Sequence, residues 1–255
     1  RQMCIRDSAH SPGLAKRKSA LTLSRMVHFT LFGIPVYIRP SFWVVLAIFG
    51  GALSISSVED LIYPALFVIA GFVAILSHEM GHALVGRKLG GGQQTIVLEL
   101  FGGLTSSHGM QLTRGGRALM IMAGPMMTLL LGIISLGLTW NIVAPVMTSY
   151  NLNFWDLAIS PFTAALISPK LYILSCLIMI GEWWTILNLL PIYPLDGGQL
   201  IAQYIRSPRK VFMTGFITAI LIGLLSFQLF HGYFIPIFMA LFAYSNYREY
   251  KNAPF

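Results

Sequence analysis

Charged residues are scarce in this chain of 255 residues, because Asp, Glu, Lys and Arg together make up only 10% of it. An ordinary soluble domain carries about 25% charged residues. Cysteine is nearly absent as well, and with only Cys4 and Cys176 neither a disulfide framework nor a thiolate metal cluster is supported. Any metal must therefore be held by His, Asp or Glu. Hydrophobic residues make up 56%, so the composition predicts a protein that crosses the membrane several times.

Positive charge is unevenly distributed along the chain. The net charge is +8, but from residue 26 onward there are 11 Lys and Arg against 8 Asp and Glu, which leaves +3. An excess of this size gives no reason to expect a nucleic-acid partner. Because residue 1 is Arg rather than Met, we expect residues 1–25 to be a disordered tail or no genuine part of the protein. Residues 26–255 are expected to form a single membrane-embedded domain.

Apolar segments long enough, or nearly long enough, to cross a bilayer recur along this domain. They comprise residues 41–57, 61–89, 118–143, 171–190, 211–230 and 233–247. Six crossings place both termini on the same side of the membrane. Nearly all Lys and Arg then lie on that side, which the positive-inside rule assigns to the cytoplasm, whereas Lys170 lies outside. We therefore expect a multi-pass protein of a prokaryotic cell membrane, with both termini cytoplasmic.

Two histidines and a glutamate continue the second apolar segment, in the sequence His78-Glu79-Met80-Gly81-His82. An ionisable group within a membrane span is costly, so it marks a candidate functional site. Histidines four residues apart share one helix face, so both rings can reach one zinc ion while the carboxylate between them activates water. The pattern predicts a hydrolytic zinc site in the membrane, with His78 and His82 as ligands and Glu79 as general base.

Catalytic zinc needs a third protein ligand, and two acidic residues compete for that role. Asp196 lies in the segment 188–198, where Pro191 and Pro194 must interrupt the fourth apolar helix. Irregular backbone at membrane depth has to line a cavity or be buried in protein, so this segment can direct a carboxylate inward. Glu182 lies within the fourth apolar segment and is the alternative ligand, although its depth favours a structural, hydrogen-bonded acid.

A second irregular segment, residues 90–107, has a β-prone core between glycines and predicts a hairpin rather than a helix. Its strand at residues 95–100 is expected to present an exposed edge near the zinc site. An unwound stretch of a substrate would hydrogen-bond to that edge as an added strand.

These motifs resemble those of the site-2 proteases, which are intramembrane zinc metalloproteases. The resemblance rests on the His-Glu-Met-Gly-His motif, on Asn-x-x-Pro-x-x-Pro-x-Asp-Gly at 188–197, on Phe-Gly-Gly at 101–103 and on Arg-Ala-Leu-Met-Ile-Met-Ala-Gly-Pro at 117–125. It covers nearly all of the chain from residue 26 to residue 206. The family implies zinc ligation by His78, His82 and Asp196, with Glu79 as general base.

The resemblance also implies that Asn188 is a polar partner of the substrate carbonyl or of the tetrahedral intermediate. Two positions depart from the family pattern, because Thr128 stands where the family often has Asn and Gln199 where it often has Arg. No PDZ or CBS domain is apparent in the sequence. The resemblance therefore implies a minimal form, regulated by another membrane protein.

Taken together, the sequence predicts an all-α polytopic membrane protein with about six transmembrane helices and a small membrane-associated β-hairpin. The expected function is zinc-dependent hydrolysis of a peptide bond in or near a transmembrane segment of a membrane protein, within the lipid bilayer. Two alternatives remain open, namely a membrane transporter for metal ions or protons and a catalytically inactive binding protein of the same fold. A transporter would more naturally show internal repeats, and the sequence shows none.

Overall fold

The computed structural model of the protein describes residues 27–100, 102–109, 111–150, 155, 158, 160–230 and 233–254. The tail predicted at residues 1–25 lies outside the described residues. In chain order, the strands and α-helices of the described part are β1 (Val27–Leu31), β2 (Ile34–Ile38), α1 (Pro40–Phe49), α2 (Ile62–Gly90), β3 (Gln93–Glu99), β4 (Gly102–His108), α3 (Arg114–Tyr150), α4 (Pro161–Ala165), α5 (Pro169–Leu189), α6 (Asp196–Ala202), α7 (Pro208–Phe230) and α8 (Phe234–Asn252).

The strands form one four-stranded sheet in the order β1-β2-β3-β4. β3 and β4 are the predicted hairpin, and they pair antiparallel from Gln93 opposite His108 to Glu99 opposite Gly102. The hairpin is not alone, however, because β2 pairs in parallel with β3. The prediction that residues 95–100 offer an exposed edge is therefore wrong. β3 has a neighbour on each side, and the edge strands of the sheet are β1 and β4.

Alternation of side chains explains how the sheet attaches to the helices. In β2, Ile34, Val36 and Ile38 are buried, while the two residues between them are partly exposed. A period of two turns all three aliphatic side chains to one face of the sheet. There they join Ile96 and Leu98 of β3 in a core shared with α1 and the second half of α2. The sheet is thereby held against the part of α2 that carries the histidines.

Four helices of the described part, α2, α3, α5 and α7, are long and apolar enough to cross a membrane. They correspond to the predicted segments 61–89, 118–143, 171–190 and 211–230. The predicted segment 41–57 forms α1, a helix of only 10 residues, and the segment 233–247 forms α8, a helix of 19 residues. A mostly helical fold with four helices able to span a membrane and a small sheet is thus confirmed for the described part. The first and the last of the six crossings stay a prediction.

α1 runs antiparallel to α2. A Cβ on Gly71 of α2 would press on Leu46 of α1, and a Cβ on Gly50 would press on Phe67 of α2. Because β2 lies beside β3, the chain leaves the sheet through α1 and returns to it through α2. This path supports a first crossing made by a short helix together with the irregular chain that follows it.

The predicted interruption of the fourth apolar helix is present. α5 ends at Leu189, and α6 begins at Asp196. A Cβ on Gly197 would overlap the carbonyl oxygens of Leu189 and Leu190, so this position has room only for glycine. The chain therefore folds back tightly on the end of α5, and Asp196 is buried at the point of return.

Single cysteines in place of Asp156 and Lys251 test the number of crossings. If α8 crosses the membrane, three crossings separate the two positions and they lie on opposite sides. In a background with Cys4 replaced by serine, where Cys176 is buried, a thiol reagent that cannot cross membranes should label Asp156→Cys on intact cells and leave Lys251→Cys unlabelled. Labelling of both positions would refute six spans.

Candidate metal centre

α2 carries both predicted histidine ligands on a face that turns into the protein. His78 and His82 are only 2% and 7% exposed, and their Nε2 atoms lie 3.2 Å apart. Asp196 places its Oδ2 3.0 Å from Nε2 of His78 and 3.4 Å from Nε2 of His82. One ligand atom from each residue lies within 4.8 Å of the other two. The structure thus brings together the three side chains that the sequence predicted as ligands.

The surroundings of the three groups suit a metal ion. Nδ1 of His82 donates to the carbonyl oxygen of Met120 at 2.9 Å, and because a carbonyl only accepts, Nε2 of the neutral ring keeps its lone pair. Gly124 of α3 leaves the space that the rings occupy, since a Cβ there would overlap His82. Two imidazoles and one carboxylate form a ligand set found in catalytic zinc sites, which keep a fourth position open. The residues present therefore fit zinc.

Glu79 stands apart from the three ligands and contacts β4 instead. The hydroxyl of Thr105 donates to Oε2 of Glu79 at 2.7 Å and lies 3.1 Å from the carbonyl oxygen of the same residue. Gly103 packs directly on the glutamate, because a Cβ there would overlap the Glu79 side chain. β4 thus sets the orientation of this carboxylate, which is 5% exposed.

A cavity of about 560 Å³ opens at the ligands. Its lining includes the three candidate ligands and Glu79, residues 102–105 of β4, Trp184 and Asn188 of α5, and one face of α8. The amide of Asn188 donates to the carbonyl oxygen of Trp184 at 2.9 Å, which occupies one of its two amide hydrogens. Asn188 therefore lies where it can contact a group bound in the cavity.

The other polar residues selected from the sequence lie outside the ligand group. Glu182 is exposed on α5 rather than buried and does not line the cavity, so the structure favours Asp196 over Glu182 as third ligand. Thr128 lies with its hydroxyl 2.9 Å from that of Thr185 and connects α3 to α5. Gln199 donates to the carbonyl oxygen of Pro194 at 2.9 Å, within the turn that leads to Asp196.

Three contributors were missed by the sequence analysis, namely Thr105, Gly124 and the carbonyl group of Met120. A threonine in a short strand and a backbone carbonyl in a helix carry no motif. Gly124 stood in one of the motifs that resemble the site-2 proteases, but only the packing shows that its missing Cβ makes room for a histidine ring.

Replacing Asp196 and Glu182 separately by alanine distinguishes the two candidate ligands. Loss of a residue that only hydrogen-bonds to a metal ligand weakens metal binding roughly 10–100-fold. Asp196→Ala should weaken zinc binding by more than this, because it removes a ligand itself. Glu182→Ala should bind zinc as the unaltered chain does. Zinc affinity is measured by competition with a chelator of known affinity. The opposite pattern would assign the third ligand to Glu182.

The sequence is similar to a known peptidase family and to proteins named as zinc metalloproteases. The sequence model of peptidase family M50 matches residues 66–230. Zinc metalloprotease MJ0392 of Methanocaldococcus jannaschii is 29% identical over 227 residues, which cover 85% of this chain and 57% of that protein. Putative zinc metalloprotease sll0528 of Synechocystis sp. is 28% identical over 188 residues, covering 69% of this chain and 43% of that protein. The chain thus spans about half the length of these curated relatives.

A solved structure shares the fold. The site-2 protease from Methanocaldococcus jannaschii superimposes with a TM-score of 0.55 at 23% identity, covering 88% of this chain and 95% of that one. These matches confirm the resemblance to site-2 proteases, and the predicted zinc cofactor agrees with the relatives' names and with the three converging ligand atoms. The family match includes both the His-Glu-x-x-His helix and the segment that carries Asp196, and it extends over more than half of the chain. The chain therefore belongs to peptidase family M50.

Proposed function

We propose that this protein is a zinc-dependent intramembrane endopeptidase that hydrolyses a peptide bond in or near a transmembrane segment of a membrane protein. The observation that carries this proposal is the convergence of His78, His82 and Asp196 in a buried site, with Glu79 held beside them. Both histidines lie on α2, a helix long and apolar enough to span the membrane. A regulatory membrane protein as partner, and a cytoplasmic position of both termini, belong to the same proposal.

In this proposal each polar group at the site has one task. When bound by His78, His82 and Asp196, zinc supplies a Lewis acid that polarises the scissile carbonyl and makes water a better nucleophile at neutral pH. Glu79 takes a proton from the attacking water and delivers it to the leaving amine. Asn188 donates its remaining amide hydrogen to the carbonyl oxygen as negative charge develops there. Thr105 holds the Glu79 carboxylate in the orientation that proton transfer requires.

The position of β4 suggests how a substrate is held. A transmembrane helix satisfies its own backbone groups, so it has to unwind locally before its peptide bond becomes accessible. β4 is an edge strand, residues 102–105 line the cavity, and Leu104 is 57% exposed. An unwound substrate segment would pair with β4 as a fifth strand and recover its backbone hydrogen bonds. This arrangement assigns to β4 the role that was expected of residues 95–100.

Cleavage of a purified single-span membrane protein, with and without a zinc chelator, tests the proposal. The purified chain should cleave such a substrate, lose activity on chelation and regain it when zinc is restored. Zinc binding without cleavage of any candidate substrate would instead favour a transporter or an inactive binding protein.

Glu79→Gln should retain zinc but lose cleavage by a factor of about 100 or more, because an amide keeps the shape of the carboxylate and accepts no proton. Metal content and turnover are compared in the same preparation. Cleavage near the level of the unaltered enzyme would exclude Glu79 as the base.

Crosslinking distinguishes β4 from the opposite edge of the sheet. A cysteine at Leu104 of β4 should form a disulfide with a cysteine placed near the scissile bond of the substrate. Thr30 of β1, which is exposed on the other edge strand, is the matched control and should give no crosslink. Equal crosslinking at both positions would show that β4 is not the docking strand.

A further inference from the structure

Asn246 is a polar residue buried between the apolar helices α7 and α8. It is 1% exposed. Its Nδ2 donates to the carbonyl oxygen of Phe242, one turn earlier in α8, at 2.9 Å, and to the carbonyl oxygen of Tyr193 at 2.6 Å. A buried amide is costly unless its hydrogens are bonded, and here backbone carbonyls accept both. One of these bonds stays within α8, while the other crosses to the loop between α5 and α6.

The loop that accepts this second bond leads directly to Asp196. Tyr193 precedes Asp196 by three residues, and the N–H of Leu195 closes the intervening turn by donating to the carbonyl oxygen of Ile192 at 2.8 Å. Gly198 packs against the same turn, since a Cβ there would overlap the backbone of Ile192 and Tyr193. A turn this compact has little freedom to adjust. A shift of the Tyr193 carbonyl would therefore move Asp196 as well.

Gly215 of α7 completes the surroundings of the Asn246 amide. A Cβ on Gly215 would overlap Oδ1 of Asn246 and lie 3.3 Å from the backbone nitrogen of Tyr193. α7, α8 and the loop thus meet at one amide group. His78 and His82 keep their relative position because one continuous helix carries both, whereas Asp196 lies on a different element.

We propose that Asn246 is a positioning residue for the metal site, which acts through the Tyr193 carbonyl to hold Asp196 where it meets His78 and His82. This inference rests on the proposed function only in taking these three residues as zinc ligands. Asn246 touches neither metal nor substrate. Its contribution is to fix how far the carboxylate stands from the two rings.

The first test replaces Asn246 by leucine, which has a similar size and donates no hydrogen bond. Asn246→Leu should raise the dissociation constant for zinc about 10-fold, as expected when a partner that orients a ligand is lost. Cobalt bound in place of zinc should show an altered visible spectrum, because the carboxylate oxygen has moved relative to the metal. Ser226→Ala is the matched control, since Ser226 is buried on α7 and donates only within that helix, to the carbonyl oxygen of Gly223.

The second test displaces the Asn246 amide without removing it. Gly215→Ala would push on Oδ1 of Asn246 and should also weaken zinc binding. Gly223→Ala is its control, because a Cβ at Gly223 would meet the Cβ of Met239 on α8 at 3.2 Å, a milder crowding between the same helices away from the loop. Both controls should bind zinc within about twofold of the unaltered chain, well below the 10-fold loss expected for the test variants.

Wild-type zinc affinity and an unchanged cobalt spectrum in folded Asn246→Leu would overturn the inference. Failure of both test variants to fold, with both controls folded, would also overturn it, since Asn246 would then serve only the stability of the helix pair. If the unaltered chain bound no zinc, the proposed function would fail, and this inference with it. The zinc affinity of the unaltered chain therefore distinguishes a failure of the proposed function from a failure of this inference alone.

Discussion

Ionisable groups in apolar surroundings need partners, and this requirement governs the arrangement of the whole site. Moving an unpaired ionised group out of water costs several kcal/mol even after relaxation. The four groups at the centre find partners on different elements. His82 bonds to a carbonyl of α3 and Glu79 to a hydroxyl of β4, while Asp196 bonds to His78 and lies 3.4 Å from Nε2 of His82. The small sheet and the broken helix are thus part of what allows α2 to hold its polar residues at this depth.

Glycine residues, which have no side chain, allow the helices to approach closely enough for these contacts. Helices that pack within lipid gain little from the hydrophobic effect, so small residues that permit close approach matter more. A Cβ on Gly81 of α2 would overlap the carbonyl group of Ala123 on α3, and a Cβ on Gly124 of α3 would overlap His82 on α2. Gly81 of α2 therefore packs against α3, and Gly124 of α3 packs against α2, within the same helix–helix contact. That contact brings the Met120 carbonyl within reach of the histidine ring.

Features with local causes could be predicted from the sequence. Helix geometry places His78 and His82 on one face, and prolines with paired glycines end α5 before Asp196. Non-local features could not be predicted. β2 pairs with β3 across some 60 intervening positions, so the strand at 95–100 was wrongly predicted to have an exposed edge. One local signal was overlooked: α1 ends at Phe49 within the apolar run 41–57, where Gly50 and Gly51 follow and Gly51 adopts a positive φ of 87°.

The parallel pairing of β2 with β3 sets an order for biosynthesis. Val36 and its partner Ile96 are separated by α1 and α2. At translation rates of about 5–20 residues per second, the second strand is made roughly 3–12 seconds after the first. Until then the β1–β2 hairpin has an open edge, and a two-stranded hairpin alone is marginally stable in water. Because α2 lies between these strands in the chain and packs on the same core, the sheet can be completed only after this helix has been made.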